Sequence, residues 1–583
     1  PEEFGEIVLV AQDDGTILRL KDVADIELGS ESYAYKGYTN GHPGVSTMVF
    51  QTAGSNATQV VNEIDALLAE IEAELPKGVA IAHLQSVNDF LYASINEVIK
   101  TLIEAILLVV LVVYVFLQDI RSTLIPTVSI IVSLVGTFAF LSVAGFSINL
   151  LTLFALVLAI GTVVDDAIIV VEAVQARFDS GYKSSYLATV DAMGGITSAI
   201  ITSTLVFMAV FIPVSMMGGT SGVFYTQFGI TMAVSVGLSA VNALTLSPAL
   251  CALILRPDSG KRKNRLFRRI NIWLGSGTKF YERMIRGGVR HSKRMLALFG
   301  LTLVALWALN KIVPQSFMPQ EDQGYFTVEL ELPEGATLER TRRVTDRAMK
   351  YLMSLEDVEY VLNVTGSSPR VGTNQSRSQL TVILKPWEER KSSNIRRLMN
   401  DIREEMRRYP ESKVYLSTPP VIPGLGASGG FEMVLEARGN ASYGDLQRAV
   451  DTLLHYASKR KELTGLSSSM QSDIPQLYFD VDRDKAQMLG VPMADIFSTM
   501  KTFTGSVYVN DFNMFNRIYR VYIQAEAPYR AQRENLGLFF VRGADKAMIP
   551  ITALGTTSYT TGPGTIRRFN MFNAATISGE AAQ

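Results

Sequence analysis

Cysteine is all but absent. Cys251 is the only one in 583 residues, so neither a disulfide framework nor a thiolate metal site can be built. Histidine is nearly as scarce, and His42, His83, His291 and His455 fall at spacings that match no ligand pair. No Gly-rich loop ending in Lys-Ser or Lys-Thr occurs, which removes the phosphate cradle and with it ATP as an evident energy source. An excess of one charge is missing too, since a formal net charge of -2 gives a nucleic acid nothing to bind. The chain opens at Pro1 with no initiator Met and no signal-peptide pattern, so trimmed termini or a fragment are expected.

What the chain has in quantity is apolar sequence, 48% by residue, and it is unevenly placed. The length is too great for one core, so several domains are expected. Between about residues 98 and 313 the sequence is dominated by long apolar runs, whereas both flanks read as soluble. Six stretches, near 98–117, 123–143, 149–174, 196–217, 222–254 and 295–313, match the length of a membrane span. Crossing about 30 Å of hydrocarbon takes about 20 residues of helix. Continuous apolarity over so many segments disfavours buried helices of a soluble protein. Gln118–Ser122 is a tight polar link suited to a helical hairpin, and Pro126 sits in the first turn of the second span, where proline is tolerated. Gly145–Asn149 is another short link, and Gly218, Gly219 and Gly222 read as a tight helix connection.

Basic residues set the orientation. The connection Arg256–Arg294 is crowded with Lys and Arg against only Asp258 and Glu282, which places it in the cytoplasm. Counting spans outward puts residues 1–97 and 314–583 on the far side. Within the connection, Leu266, Phe267, Ile270, Trp273 and Leu274 recur at helical spacing, as do Phe280, Tyr281, Met284 and Ile285. A basic amphipathic helix lying in the membrane interface is predicted.

The third span carries Asp165 and Asp166 three to four residues from its centre near Thr162, about 5–6 Å along the axis. One Asp at mid-helix costs about 2.5–3.5 kcal/mol on insertion scales, so two in succession require a reason. Adjacent helix positions differ by about 100°, so both can face a bundle interior but not one common point. Two close carboxylates repel when both are ionised, and a low dielectric adds a desolvation cost; proton uptake and release follow from that chemistry. A proton relay is the reading adopted, with a sodium site and a merely structural pair as alternatives. Glu104 and Glu172 are weaker signals, the first open to a lateral groove or a headgroup and the second within reach of the interface.

In the soluble flanks, strands are predicted near Phe4–Val10, Ile17–Leu28, Val45–Gln51 and Val79–Leu84. A helix carrying Val60, Val61, Ile64, Leu67, Leu68, Ile71 and Leu75 on one face precedes the last of these. After the last span, strands near Tyr325–Leu332, Tyr360–Val364, Gln379–Leu384 and Lys413–Ser417 alternate with helices near Leu338–Leu355 and Ile395–Arg408. That β-α-β-β-α-β order is ferredoxin-like. A second set starts at Phe431 and runs through Phe479–Asp482. The two ends also resemble each other: Phe4-Gly5, Ile7–Val10 and Thr16–Asp25 parallel Leu536-Gly537, Phe539–Val541 and Ala547–Leu554. A duplicated protein of which this chain covers about one period is expected.

The run Gly161-Thr-Val-Val-Asp165-Asp166-Ala-Ile-Ile-Val-Val-Glu172 closely resembles the fourth transmembrane helix of resistance-nodulation-division (RND) efflux pumps of the hydrophobe/amphiphile branch. Glu2-Glu3-Phe4-Gly5, Leu20–Gly29, Pro319-Gln-Glu-Asp-Gln-Gly324 and Tyr508-Val-Asn-Asp-Phe512 are similar to that family as well, so the resemblance spans essentially the whole chain. It implies an α+β membrane protein, a bundle of transmembrane helices with periplasmic ferredoxin-like (β-α-β) porter subdomains and docking segments. By the same comparison, residues 1–30 end a first docking segment and 31–97 form a porter subdomain. Residues 98–255 hold five transmembrane helices, 256–294 the cytoplasmic basic helix and 295–313 the sixth transmembrane helix. Residues 314–420 form a porter subdomain, 421–480 part of another, 481–565 a second docking segment, and 566–583 return to the porter subdomain.

The resemblance further implies a trimeric inner-membrane antiporter of Gram-negative bacteria, joined to a periplasmic adaptor and an outer-membrane channel. Such a protein exports amphiphilic small molecules such as antibiotics, dyes and detergents. Protons are the coupling ion, and neither a cofactor nor an enzymatic activity is expected. The family's relay aspartates map onto Asp165 and Asp166, and their lysine partner belongs to a later helix outside this chain. The family's Phe-rich deep pocket and Gly-rich switch loop correspond to Leu362, Val364, Gly366–Gly372 and Thr381, where the aromatics are missing. Phe431, Met433 and Leu435 match the apolar pattern of the entrance pocket, although alternating apolar residues on a strand also suit a core. Rival readings are metal-ion efflux, disfavoured by the unclustered Met and His, and a non-transporting scaffold or sensor, disfavoured by the cost of the Asp pair.

Overall fold

The computed structural model describes residues 1–13, 15–52, 55–84, 86–257, 265–313, 321–369, 371–391, 395–420, 430–470, 472 and 474–581. Two compact units account for them, one of Pro1–Phe50 with Met318–Gln583 and the other of Gln51–Phe317. The first unit begins with a helical turn, α1 (Glu2–Gly5), and the hairpin β1 (Val8–Ala11) and β2 (Ile17–Arg19), closed by a 3-10 turn at Leu20–Asp22. The strand predicted from Phe4 therefore starts four residues later, because the Gly5 amide donates to the Pro1 carbonyl at 3.0 Å and winds the start into a turn. Strands β3 (Lys36–Thr39) and β4 (His42–Pro43) follow. The strands expected at 45–51 and 79–84 do not form, for neither segment meets a ladder partner among the described residues. Alternation proposes a strand; only a partner completes it.

In the second unit α2 (Ala57–Glu72) leads to α3 (Val87–Leu117), α4 (Ile120–Val143), α5 (Leu150–Asp179), α6 (Ser185–Ser215), α7 (Gly219–Leu244) and α8 (Leu246–Ile254). Helices α9 (Arg265–Arg290) and α10 (Ser292–Ile312) complete it. Among the described residues six spans are long and apolar enough to cross a membrane: Asn88–Leu117, Ile120–Val143, Leu150–Asp179, Ser185–Ser215, Gly222–Ile254 and Ser292–Ile312. Two of them, Asn88–Leu117 and Ser185–Ser215, start well before the predicted stretches because their caps lie in polar sequence. Ser86 caps α3 by accepting from the Asn88 amide (3.1 Å), and Ser184 caps α6 through the Leu187 amide. The tight link is built as its residues suggest: Gln118 turns left-handed (φ 55°) and Asp119 accepts from the Ser122 amide at 3.0 Å. The span read as continuous over 222–254 breaks at Thr245, where ψ is -67° and φ -122°. Pro248 explains the break, since it lacks an N–H and its ring presses on the Leu244 carbonyl.

Helix α5 is the centre of this unit. Leu153, Leu156, Ile160, Val163, Val170 and Val174 are buried on its several sides, whereas α10 buries nothing.

Returning to the first unit, β5 (Tyr325–Glu331), α11 (Leu338–Met353), β6 (Val358–Ser368), β7 (Gly372–Leu384), α12 (Ile395–Met406) and β8 (Lys413–Ser417) form an antiparallel sheet ordered β4-β3-β6-β7-β5-β8. Its core packs Phe326, Val328, Leu330, Leu380 and Val382 against Val344, Ala348 and Leu352 of α11 and Ile402 and Met406 of α12. The alternation along β5 is the cause, with odd-numbered residues left for the helix-free face. Beyond it come β9 (Phe431–Ala437), α13 (Tyr443–Ala457), β10 (Leu463–Ser468), β11 (Ile474–Val481), and the hairpin β12 (Val507–Met514) with β13 (Arg517–Ile523). A second small hairpin, β14 (Phe540–Arg542) and β15 (Met548–Pro550), precedes β16 (Gly555–Gly562), which pairs back to β11. Strands β17 (Arg568–Phe569) and β18 (Phe572–Ala581) end the chain, and β18 lies between β9 and β10. The two similar ends share an element order, since β14–β15 is followed by a 3-10 turn at Ile551–Ala553 as β1–β2 is by Leu20–Asp22.

Gly366, at the β6 end, has φ +93°, and a Cβ there would collide with the Ala34 carbonyl oxygen. Gly366→Ala is expected to lower stability by at least about 1–3 kcal/mol, read as a drop in the thermal unfolding midpoint.

Candidate functional site

The structure separates the two aspartates of α5. Val163, Val164 and Ala167 around them are buried, which fixes the roll of the helix. At that roll Asp166 turns inward, half-buried, and accepts a hydrogen bond from the Ser239 hydroxyl of α7 at 2.8 Å. Ser239 is itself buried, and its Oγ also lies 3.0 Å from the Val163 carbonyl oxygen. Asp165 is exposed on the other side. Among the described residues the step of about 100° between neighbours leaves Asp166 against α7 and Asp165 exposed. No ion pair involves either aspartate among the described residues. Glu104 on α3 and Glu172 on α5 are exposed among the described residues. Cys251 is a buried free thiol in α8.

Ser239 was legible only indirectly. Ser235, Ser239 and Asn242 recur on one face of an otherwise apolar span, a polar stripe that signals an interhelical contact without naming the partner.

In the first unit, Leu362 and Val364 alternate on β6, half-buried on the helix-free face of the sheet. Cross-strand pairing aligns Leu362 with Thr381 and Thr327, and Val364 with Gln379 and Glu329. Beside them is a polar group that no motif announced. Arg377, whose side chain is 4% exposed, reaches Glu331 at 2.9 Å and Glu329 at 3.4 Å, with Glu334 at 4.0 Å. The hydroxyl of Ser368, the last residue of β6, donates to Glu329 at 2.5 Å and ties the strand end to this charge group. Glu334 also lines a cleft of about 270 Å³ with Thr337, Asn374, Ser376, Ile474 and Thr565. Arg370 lies outside the described residues.

Phe431, Met433 and Leu435 share one face of β9, in a different sheet from Leu362 and Val364. Leu435 packs into the small core of Ala437, Leu446, Val450, Ala575 and Ile577, while Phe431 and Met433 stay exposed at 39% and 40%. Among the described residues no cluster of three or more His, Cys, Asp or Glu side chains is arranged to hold a metal ion.

Arg377→Met is expected to lower stability by about 3–5 kcal/mol, because it leaves the buried Glu329 carboxylate without that cation. Lys413, exposed and 3.6 Å from Glu331, provides the contrast. Lys413→Met is expected to shift the unfolding free energy by less than about 1 kcal/mol, and denaturant titration separates the two.

Comparison with known proteins places these features in context. Residues 1–583 match the family described as the AcrB/AcrD/AcrF family. The chain is 37% identical over 590 residues to the multidrug export protein AcrF of Escherichia coli (strain K12), covering 100% of this chain and 57% of that protein. It is 36% identical over 589 residues to the multidrug resistance protein MdtF of the same strain, again covering 100% and 57%. The toluene efflux pump membrane transporter TtgB of Pseudomonas putida is 35% identical over 588 residues, covering 100% and 56%. The chain therefore spans a little over half the length of these relatives.

Proposed function

Because the chain belongs to the AcrB/AcrD/AcrF family of RND transporters, we propose that it is the central part of a proton-driven exporter of amphiphilic small molecules. It is a transporter and not an enzyme; antibiotics, dyes and detergents, drawn from the periplasm or the inner membrane, are its substrate class. The observation that carries this reading is a carboxylate pair in the middle of an apolar helix, one member of it bonded across to a second span. Such groups are costly in hydrocarbon and mark ion pathways. Asp165 and Asp166 are the proton relay, protons are the coupling ion, and no bound cofactor takes part. The printed names of the relatives, multidrug export and toluene efflux, support the substrate class.

The basic helix α9 lies on the cytoplasmic surface of the inner membrane of a Gram-negative bacterium, and the strand-bearing flanks are periplasmic. The sheet built by β5–β8 with α11 and α12, and the one built by β9, β10 and β18 with α13, are ferredoxin-like porter subdomains; the β-α-β-β-α-β order of the first supports this. The hairpins β1–β2, β12–β13 and β14–β15 belong to docking segments. Leu362, Val364, Phe431 and Met433 line the substrate path, with Leu435 supporting it from the core. The full protein is a homotrimer working with a periplasmic adaptor and an outer-membrane channel.

The test uses the full-length gene with Asp165→Asn and Asp166→Asn in a dye-efflux assay at matched expression. Both variants are expected to lose efflux by at least about 10-fold; undiminished efflux in both contradicts the relay.

A further inference from the structure

Near its start, helix α9 is seated on the rest of its unit. Phe267 packs edge-on against Tyr114 of α3, with ring centroids 5.9 Å apart. One turn on, two side-chain amides pair: Gln118 Nε2 donates to Asn271 Oδ1 at 2.6 Å, and Asn271 Nδ2 donates to Gln118 Oε1 at 3.3 Å. Gln118 is the left-handed residue of the α3–α4 link, so these contacts fix the roll of α9 against that link.

With the roll fixed, the remaining faces of α9 have distinct chemistry. Trp273, Phe280, Tyr281, Met284 and Ile285 recur at helical spacing as one apolar stripe, and all are exposed, Trp273 at 75%. Next to the stripe runs a basic arc of Arg268, Arg269, Lys279, Arg283, Arg286 and Arg290, also exposed. Its centre lies about a third of a turn round the helix from the seated side, and Arg269 and Arg283 directly border Trp273 and Phe280. Among the described residues none of the six cations joins an ion pair. The only acid of the helix, Glu282, falls between the arc and the seated side, away from the stripe. A cytoplasmic connection needs an excess of Lys and Arg, but that rule is indifferent to which side of a helix they occupy. A polar face built only for solvation would mix both signs. Cations gathered along one edge of an apolar stripe meet a different demand: when the stripe sinks into the headgroup boundary, the arc stands level with lipid phosphates.

We infer that α9 selects anionic phospholipid. The stripe led by Trp273 enters the cytoplasmic leaflet, and the arc from Arg268 to Arg290 binds the phosphates of lipids such as phosphatidylglycerol on the side turned away from α3. This rests on the reading of α9 as a helix on the cytoplasmic membrane surface, and it names the partner of that helix. The guanidinium groups present the planar fork that suits a phosphate, and Lys279 adds a point charge. Phe267 and Asn271 touch no lipid in this scheme; they are positioning residues that hold the arc towards the leaflet, so little ordering remains to be done on binding.

The experiment reconstitutes the full-length transporter in vesicles of phosphatidylcholine and phosphatidylglycerol in equal parts, with bromine on the chains of one lipid or the other. Bromine quenches tryptophan on contact, and subtracting the signal of Trp273→Phe isolates Trp273. Each Lys or Arg near an anionic surface is worth about 5-fold in affinity, so brominated phosphatidylglycerol is expected to quench Trp273 at least about 2-fold more than brominated phosphatidylcholine. The difference is expected to shrink as salt is raised. Combining Arg268→Gln, Arg269→Gln, Arg283→Gln and Arg286→Gln is expected to abolish it, whereas Lys at the same four positions, which keeps the charge, is expected to retain it. Equal quenching by the two lipids in the wild type overturns the anionic selection and leaves the surface helix standing. No quenching by either lipid overturns both. A difference that survives the four Gln substitutions overturns the assignment to the arc.

Discussion

A carboxylate in the middle of an apolar helix has to meet a hydrogen-bond donor on a neighbouring helix, and Ser239 meets Asp166 here at 2.8 Å. That contact requires α5 and α7 to approach closely, and the residues next to it in sequence are small: Ala167 on α5 and Ala240 on α7, both buried. Gly136 on α4 serves the same end, for a Cβ there would stand 3.1 Å from Leu238 Cδ1. Helix association in hydrocarbon lacks the hydrophobic driving force available in water, so small-residue packing and interhelical hydrogen bonds define the interface. The Asp166–Ser239 contact and the close packing are therefore one feature. Bulkier side chains would push α7 away and leave Asp166 without its donor.

The same constraint gives the two aspartates separate surroundings. Rolling α5 so that Val163 and Ala167 are buried turns Asp166 towards α7 and leaves Asp165 exposed. Among the described residues the adjacent aspartates thus differ in surroundings, one bonded to Ser239 and the other exposed. A second buried charge group, Arg377 with Glu329 and Glu331, lies in the other unit on the sheet face that carries Leu362 and Val364. There Ser368, at the end of β6, donates to Glu329, so the strand end is tied to the charge group by a polar contact.

Much of this was readable before any coordinates. The apolar runs located the spans, because a helix that crosses hydrocarbon needs about 20 apolar residues whatever its neighbours are. The strands β5 to β8 were readable for a similar local reason, alternation about a buried face. What failed was non-local. Residues 45–51 and 79–84 alternate like strands but meet no partner among the described residues, while β3 pairs with β6 more than 300 residues away, Tyr38 against Asn363. Ser239 is 73 residues from Asp166, and Arg377 is 48 from Glu329; no local pattern names such partners. The break at Thr245 was missed although Pro248 announced it, since a hydropathy window averages over one residue.

The most direct test of the central claim is difference infrared spectroscopy on the full-length transporter as the pH is lowered, with Asp166→Asn as reference. A carboxyl band that grows in the wild type on acidification and is absent from Asp166→Asn is the predicted result. Identical difference spectra for the two proteins would contradict proton binding at Asp166.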